Sequence, residues 1–245
     1  MTKRIAALIT SASLASTLAL AGCSSSPAAP PSLAAMSASQ ILNRALSTAE
    51  ARTSVHIKSA GTQGSLTEVQ VDDALPDSGR QLITEGSSKA EVLLVGGVAY
   101  IKGNQDALLN YFEFPPTDGP ALANRWISIP PSNSDYSTVS SQVDFTQFLS
   151  TFKLRGPLVK IGSSTVDGQR VVGIRGTAPA ALGLPAKTSA TLYVALSGPA
   201  LPVSATYSSS SEQVADTLSN WDEKLALTKP VSALPISSVH VPSAT

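Results

Sequence analysis

The feature that most constrains this chain is a series of two-residue turn signals set between short alternating segments. Gly96-Gly97 divides Glu91–Val95 from Val98–Lys102, and Asp167-Gly168 divides Leu158–Val166 from Gln169–Arg175. Such pairs suit primed turns, whose central residues need positive φ and whose twist matches the strands they join. Gly198-Pro199 marks a turn region between Ala190–Leu196 and Pro202–Tyr207, and Asp222-Glu223 stands between Val214–Trp221 and Lys224–Thr228. Sequential hairpins build an antiparallel meander. This many short strands predict one strongly curved sheet of about ten strands, a half β-barrel.

Helices are few, so the predicted class is α+β with helices on the concave face of the sheet. Ser39 to Arg52 has Ser39 as a candidate N-cap and Ile41, Leu42, Ala45, Leu46 and Ala49 at helical spacing. After Thr53 the period falls to two, with Val55 and Ile57 on one face and His56 and Lys58 on the other. Val92 to Val95 is apolar on both faces, and Leu192 and Leu196 alternate with Tyr193 and Ala195, so the sheet needs more apolar cover than one helix. Two short stripes can supply it: Leu108, Leu109, Tyr111 and Phe112, and then Phe145, Phe148, Leu149 and Phe152 behind the capping-type Asp144. Leu94, Leu108, Phe112, Phe145, Phe148, Leu149, Phe152 and Leu192 are therefore candidate lining for an apolar cavity, with plain core packing as the competing reading. Core packing is also the first reading of Trp126 and Trp221.

The N-terminus reads as an export label. Lys3 and Arg4 precede a mostly apolar run, Ile5 to Leu20, broken by Thr10, Ser11, Ser13, Ser16 and Thr17. That is signal-peptide anatomy, and it is short of the ~20 apolar residues of a membrane span. Leu20-Ala21-Gly22-Cys23 resembles the bacterial lipobox, which implies cleavage between Gly22 and Cys23 and lipidation of the Cys23 thiol. Cys23 is the only cysteine, so no internal disulfide competes for it. Residues 24–39 carry no charge and contain Pro27, Pro30 and Pro31, as a flexible tether would. The expected organisation is a signal peptide over 1–22, lipidated Cys and tether over 23–39, one domain over 40–230, and a loose Pro/Ser-rich tail over 231–245.

Lys and Arg together number 17, as do Asp and Glu. Lys3 and Arg4 fall before Cys23 with no acid beside them, so the remainder holds 15 basic residues against 17 acidic. No cationic excess exists to bind nucleic acid. Charged residues are 14% of the chain, well under the roughly 25% of ordinary domains. Two histidines, His56 and His240, cannot assemble a zinc site and are not placed as oriented bases. No Gly-x-Ser-x-Gly elbow or phosphate loop occurs. Asp72-Asp73 and Asp222-Glu223 read as solvated turns, and neither enzyme chemistry nor a cofactor nor a metal is expected.

The ordered set of segments resembles the LppX/LprG-type lipoproteins of mycobacteria and relatives, which share a fold with LolA and LolB. The likeness rests on Ser54-Val55-His56-Ile57-Lys58, on Ala90 through Ile101, on Val166 through Ile174 and on Leu218 through Pro230. It implies a half-open barrel closed by helices around an apolar cavity, and carriage of acylated lipids or glycolipids. Thr62 to Ser88 departs from the pattern: it is polar and holds Pro76, Gly79 and Gly86, so strands are weakly marked there and a smaller cavity is expected. The leading expectation is a monomeric, membrane-anchored lipoprotein of the cell envelope that binds lipid, with an export transporter as a candidate partner. The alternative is a scaffold or sensor on the same fold acting by protein contact.

Overall fold

The computed structural model describes residues 32–63, 66–185 and 187–239. The expectations for Gly22, Cys23 and His240 lie outside them. After a 3-10 turn at Leu33–Ala35, helix α1 runs over Ala38–Glu50. Its cap is Ser37 rather than Ser39: the Ser37 side chain accepts the Gln40 N–H while the Gln40 side chain accepts the Ser37 N–H, a reciprocal capping box that Ser39 has no partner to make.

Six strands follow as a meander: β1 (Val55–Gln63), β2 (Leu66–Leu75), β3 (Ser78–Glu85), β4 (Ser88–Val95), β5 (Val98–Gly103) and β6 (Ile127–Ile129). Between β5 and β6 lie α2 (Gln105–Asn110) and α3 (Gly119–Leu122); after β6 come α4 (Tyr136–Ser141) and α5 (Phe145–Ser150). A second meander comprises β7 (Arg155–Val166), β8 (Gln169–Thr177), β9 (Ser189–Ala195), β10 (Pro202–Ser208) and β11 (Glu212–Ser219). The two-residue β12 (Leu234–Pro235) completes the described strands.

All twelve form one sheet in the order β12-β6-β5-β4-β3-β2-β1-β11-β10-β9-β8-β7. Every pair is antiparallel except β12 with β6. The long-range pairing of β1 with β11 fuses the two meanders. The expected turns form where the dipeptides demanded them: Gly96 and Gly97 have φ of 59° and 71°, and Asp167 and Gly168 have 45° and 77°.

Four expectations need correction. The sheet has twelve strands rather than about ten, and it is open and not strongly curled. The polar stretch 62–88 holds two long strands, β2 and β3, paired along their length. Lys224–Thr228 is not a strand; both edges of β11 are already taken, by β10 and β1. The segment expected to be loose from Val231 contributes β12 and the buried Ile236.

Two packed cores explain why the sheet stays open. Pairing register places Leu94, Gly79, Ala74 and Val55 on one face of the sheet, in line across four strands. Toward one end of that face, Val92, Leu94 and Ile101 pack with Leu108, Leu122 and Val139 from α2, α3 and α4. Toward the other, Ile41, Leu42 and Ala45 of α1 and Phe145, Leu149 and Phe152 pack on Val55, Ile57, Ile174 and Leu192. Each end has its own helical cover, so neither needs to curl over the other.

Candidate functional site

Between the two cores the same face of the sheet turns polar. β2 carries Glu68, Gln70 and Asp72 at alternate positions, all facing the helices, with Val69 and Val71 on the reverse side. Register sets Ser59 of β1 against both Gln70 and Asp216, and Gly61 against both Glu68 and Val214. Glu85 of β3 lies directly opposite Glu68. These residues floor a cavity of about 380 Å3, and Glu212 of β11 joins them. Its apolar wall is Phe148 of α5, Leu182 and Leu184 from the turn after β8, and Val214.

Local sequence explains the wall. Asp144 caps α5 by accepting the Gln147 N–H at 2.7 Å, and this turns Phe145 and Leu149 into the core. Phe148, one position off that stripe, meets Phe152 edge-on at 4.9 Å between centroids and faces the cavity. Thr151 joins Phe148 in the lining, and its carbonyl accepts the Tyr207 hydroxyl at 3.1 Å.

The floor is electrostatically loaded. Asp72 is 5% exposed; its Oδ2 accepts from the Gln70 amide at 2.8 Å, while its Oδ1 accepts no hydrogen bond. Burial raises its pKa to about 7, against the pull of the Gln70 and Gln81 amides and with help from the charges of Asp216 and Asp73. Asp216, equally buried, is raised to about 6 by burial although the Ser59 hydroxyl donates to it at 2.7 Å. Glu68 is raised by burial and by Glu85. Glu85 accepts the Tyr111 hydroxyl at 3.0 Å, and burial with that bond pushes the phenol up.

Asp72 and Asp73 were expected in a solvated turn and are instead adjacent buried residues of a central strand. Their side chains point to opposite faces, so they do different work. Asp73, on the reverse face, binds His56 Nδ1 at 2.8 Å and Arg80 at 2.6 Å. The other acidic pair does sit in a turn: Asp222 is exposed and accepts from the Thr53 N–H and Arg52, which lower its pKa.

Of the eight cavity candidates, Phe148 lines this cavity. Phe145, Leu149, Phe152 and Leu192 lie in the core under α1, and Leu94 and Leu108 in the core under α2 to α4, with Phe112 packed against it. Glu68, Asp72, Glu85 and Asp216 were missed. The available signal was the alternation Glu68-Val69-Gln70-Val71-Asp72, which sets three polar side chains on one face of a strand in a stretch that was read as merely polar. Trp126 stacks edge-on against Tyr100 under the Lys102 ammonium, and Trp221 donates to the Pro202 carbonyl at 3.3 Å beside the larger core. A hollow of about 610 Å3 lies by β12, lined by Tyr100 and by loop residues such as Pro130, Asn133 and Ser232. The 3-10 turn Ile236–Ser238 and Lys229 also contribute to its wall, and among the described residues no carboxylate does. Among the described residues, no group of three His, Cys, Asp or Glu is arranged to hold a metal ion.

No protein-family model and no curated protein matches the chain. Solved structures do. LprF from Mycobacterium bovis aligns over 79% of this chain and 96% of its own at 16% identity, with a TM-score of 0.55. The Mycobacterium tuberculosis lipoprotein LppX aligns over 78% and 98% at 20% identity, with a TM-score of 0.53. The chain shares their fold.

Proposed function

We propose that the protein is an exported lipoprotein, anchored at the extracytoplasmic face of the cell membrane through acylated Cys23, that holds an amphiphilic lipid in the cavity beside α5. The observation that carries this reading is the cavity of about 380 Å3 with Phe148, Leu182, Leu184 and Val214 as its apolar wall. It lies in a fold shared with a mycobacterial lipoprotein, and the N-terminal residues from Lys3 to Cys23 have the matching export pattern. Each methylene moved from water onto that wall contributes about 0.8 kcal/mol. The volume sits at the low end of the roughly 300–1,000 Å3 typical of small-molecule sites. It therefore favours one acyl chain, or the end of one, over a multiply acylated glycolipid.

Mass spectrometry of the protein purified from the envelope of its native host tests the reading. A co-purifying single-chain amphiphile in near-stoichiometric amount is expected; repeated recovery of empty protein that takes up no lipid would refute it. A second reading, a scaffold or sensor acting by protein contact, is favoured by the packing of seven of the eight cavity candidates into filled cores. It requires that same empty result.

A further inference from the structure

An uncharged or anionic lipid would leave the floor of this cavity unbalanced. Glu68 and Glu85 face each other directly across β2 and β3, an arrangement that costs stability when both are charged. Asp72 and Asp216 stand on the two sides of β1, each 5% exposed. Asp72 Oδ1 is buried without a hydrogen-bond donor, a condition that ordinarily costs more than a hydrogen bond contributes. No Lys, Arg or His is among the described residues that line the cavity. His56 and Arg80 bind Asp73 on the reverse face of the sheet, and Lys58 of β1 lies on that face as well.

We propose that the ligand carries a positively charged amine, seated over Asp72, Asp216 and the Glu68–Glu85 pair, with its aliphatic part against Phe148, Leu182 and Leu184. The proposal rests on the cavity reading above and adds the chemistry of the ligand's head. A metal ion is the wrong cation, because these carboxylates are spread over three strands, β2, β3 and β11, and among the described residues do not converge as a ligand set. An ammonium on a flexible stem needs no such convergence, and it donates up to three hydrogen bonds. The elements packed over the floor add no competing charge: α5 contributes Phe148 and Thr151, and the turn after β8 contributes Leu182 and Leu184. The other titratable groups facing it are Glu212 on β11, Tyr207 beside Asp216 and Tyr111 beside Glu85. A bound ammonium would return the buried carboxyls to their ionised forms, so binding should strengthen as pH rises past 6 to 7.

The test uses the full chain in phosphatidylcholine nanodiscs, with empty nanodiscs as the blank, titrated calorimetrically with octylammonium, octanol and octanoate. A primary amine stays charged well above pH 8, so any change between pH 5 and pH 8 belongs to the protein. At pH 8 octylammonium should bind at least about tenfold tighter than octanol, with octanoate weakest. That advantage should shrink at pH 5 and in the double variant Asp72→Asn/Asp216→Asn, which should still bind octanol. Equal affinity for octylammonium and octanol, or an advantage undiminished in the double variant, overturns the amine assignment while leaving the cavity reading intact. Binding of none of the three overturns both. Cadaverine, a diamine without a tail, binding as tightly as octylammonium would overturn the aliphatic half of the proposal in favour of a free amine.

Discussion

Asp72 is where the site and the stability of the fold meet. Its carboxyl holds a proton to about pH 7 in the folded chain but only to about 3.9 when unfolded. Between those values the folded state binds more protons, so its stability falls as pH rises from about 4 to about 7 and stays lowered above that. Asp72→Asn removes the penalty. Urea unfolding should find the variant more stable by up to about 4 kcal/mol at pH 8 and little different near pH 4, since each pKa unit between the unfolded and folded values corresponds to about 1.4 kcal/mol. A larger margin at pH 4 than at pH 8 would contradict the burial of this charge. A stability cost concentrated in one cavity is what a binding site shows when its ligand is absent. None of this was legible locally: Asp72-Asp73 looks like a turn because acidic pairs usually are, and only the pairing of β2 with both β1 and β3 puts the two carboxyls inside.

Individual elements were readable where a local chemical rule settles them. Gly96-Gly97 and Asp167-Gly168 adopt the positive φ that a primed turn requires, and Asp144 caps α5 as its position suggested. Ser37→Ala breaks the capping box of α1 and should cost about 1 kcal/mol in thermal or urea unfolding. β2 and β3 were poorly marked because their inner faces are polar, and a half-buried strand is usually recognised by its apolar stripe. Gly79 of β3 shows the price of packing there. A Cβ at this position would lie 2.4 Å from the Val143 carbonyl oxygen and 2.8 Å from its Cβ, so the chain between α4 and α5 rests directly on the backbone of β3. Gly79→Ala should therefore lower stability by about 1–3 kcal/mol. It should also weaken octylammonium binding by moving α5 and Phe148; a variant as stable as the parent would show that the close approach is not maintained in solution.

For the whole molecule, the decisive contacts join distant parts of the chain. β1 meets β11 across most of the sequence, and β12 returns from the C-terminal segment to cover the edge of β6. Deleting residues 231–245 uncovers that edge and the pocket filled by Ile236. The truncated chain should lose about 1–2 kcal/mol of stability and self-associate through the bare strand, as light scattering would detect. Cys23→Ala in the full chain should shift the protein from the membrane to the soluble fraction on cell fractionation; unchanged retention would refute anchoring at that thiol. The sequence by itself determined the hairpins at Gly96-Gly97 and Asp167-Gly168 and the α+β class, because turn φ, capping and apolar periodicity are properties of neighbouring residues. Only the tertiary structure decided the strand order, the split into two cores and the carboxylates gathered between them. A side chain's face along a strand is local, but whether that face meets water or a helix depends on residues a hundred positions away.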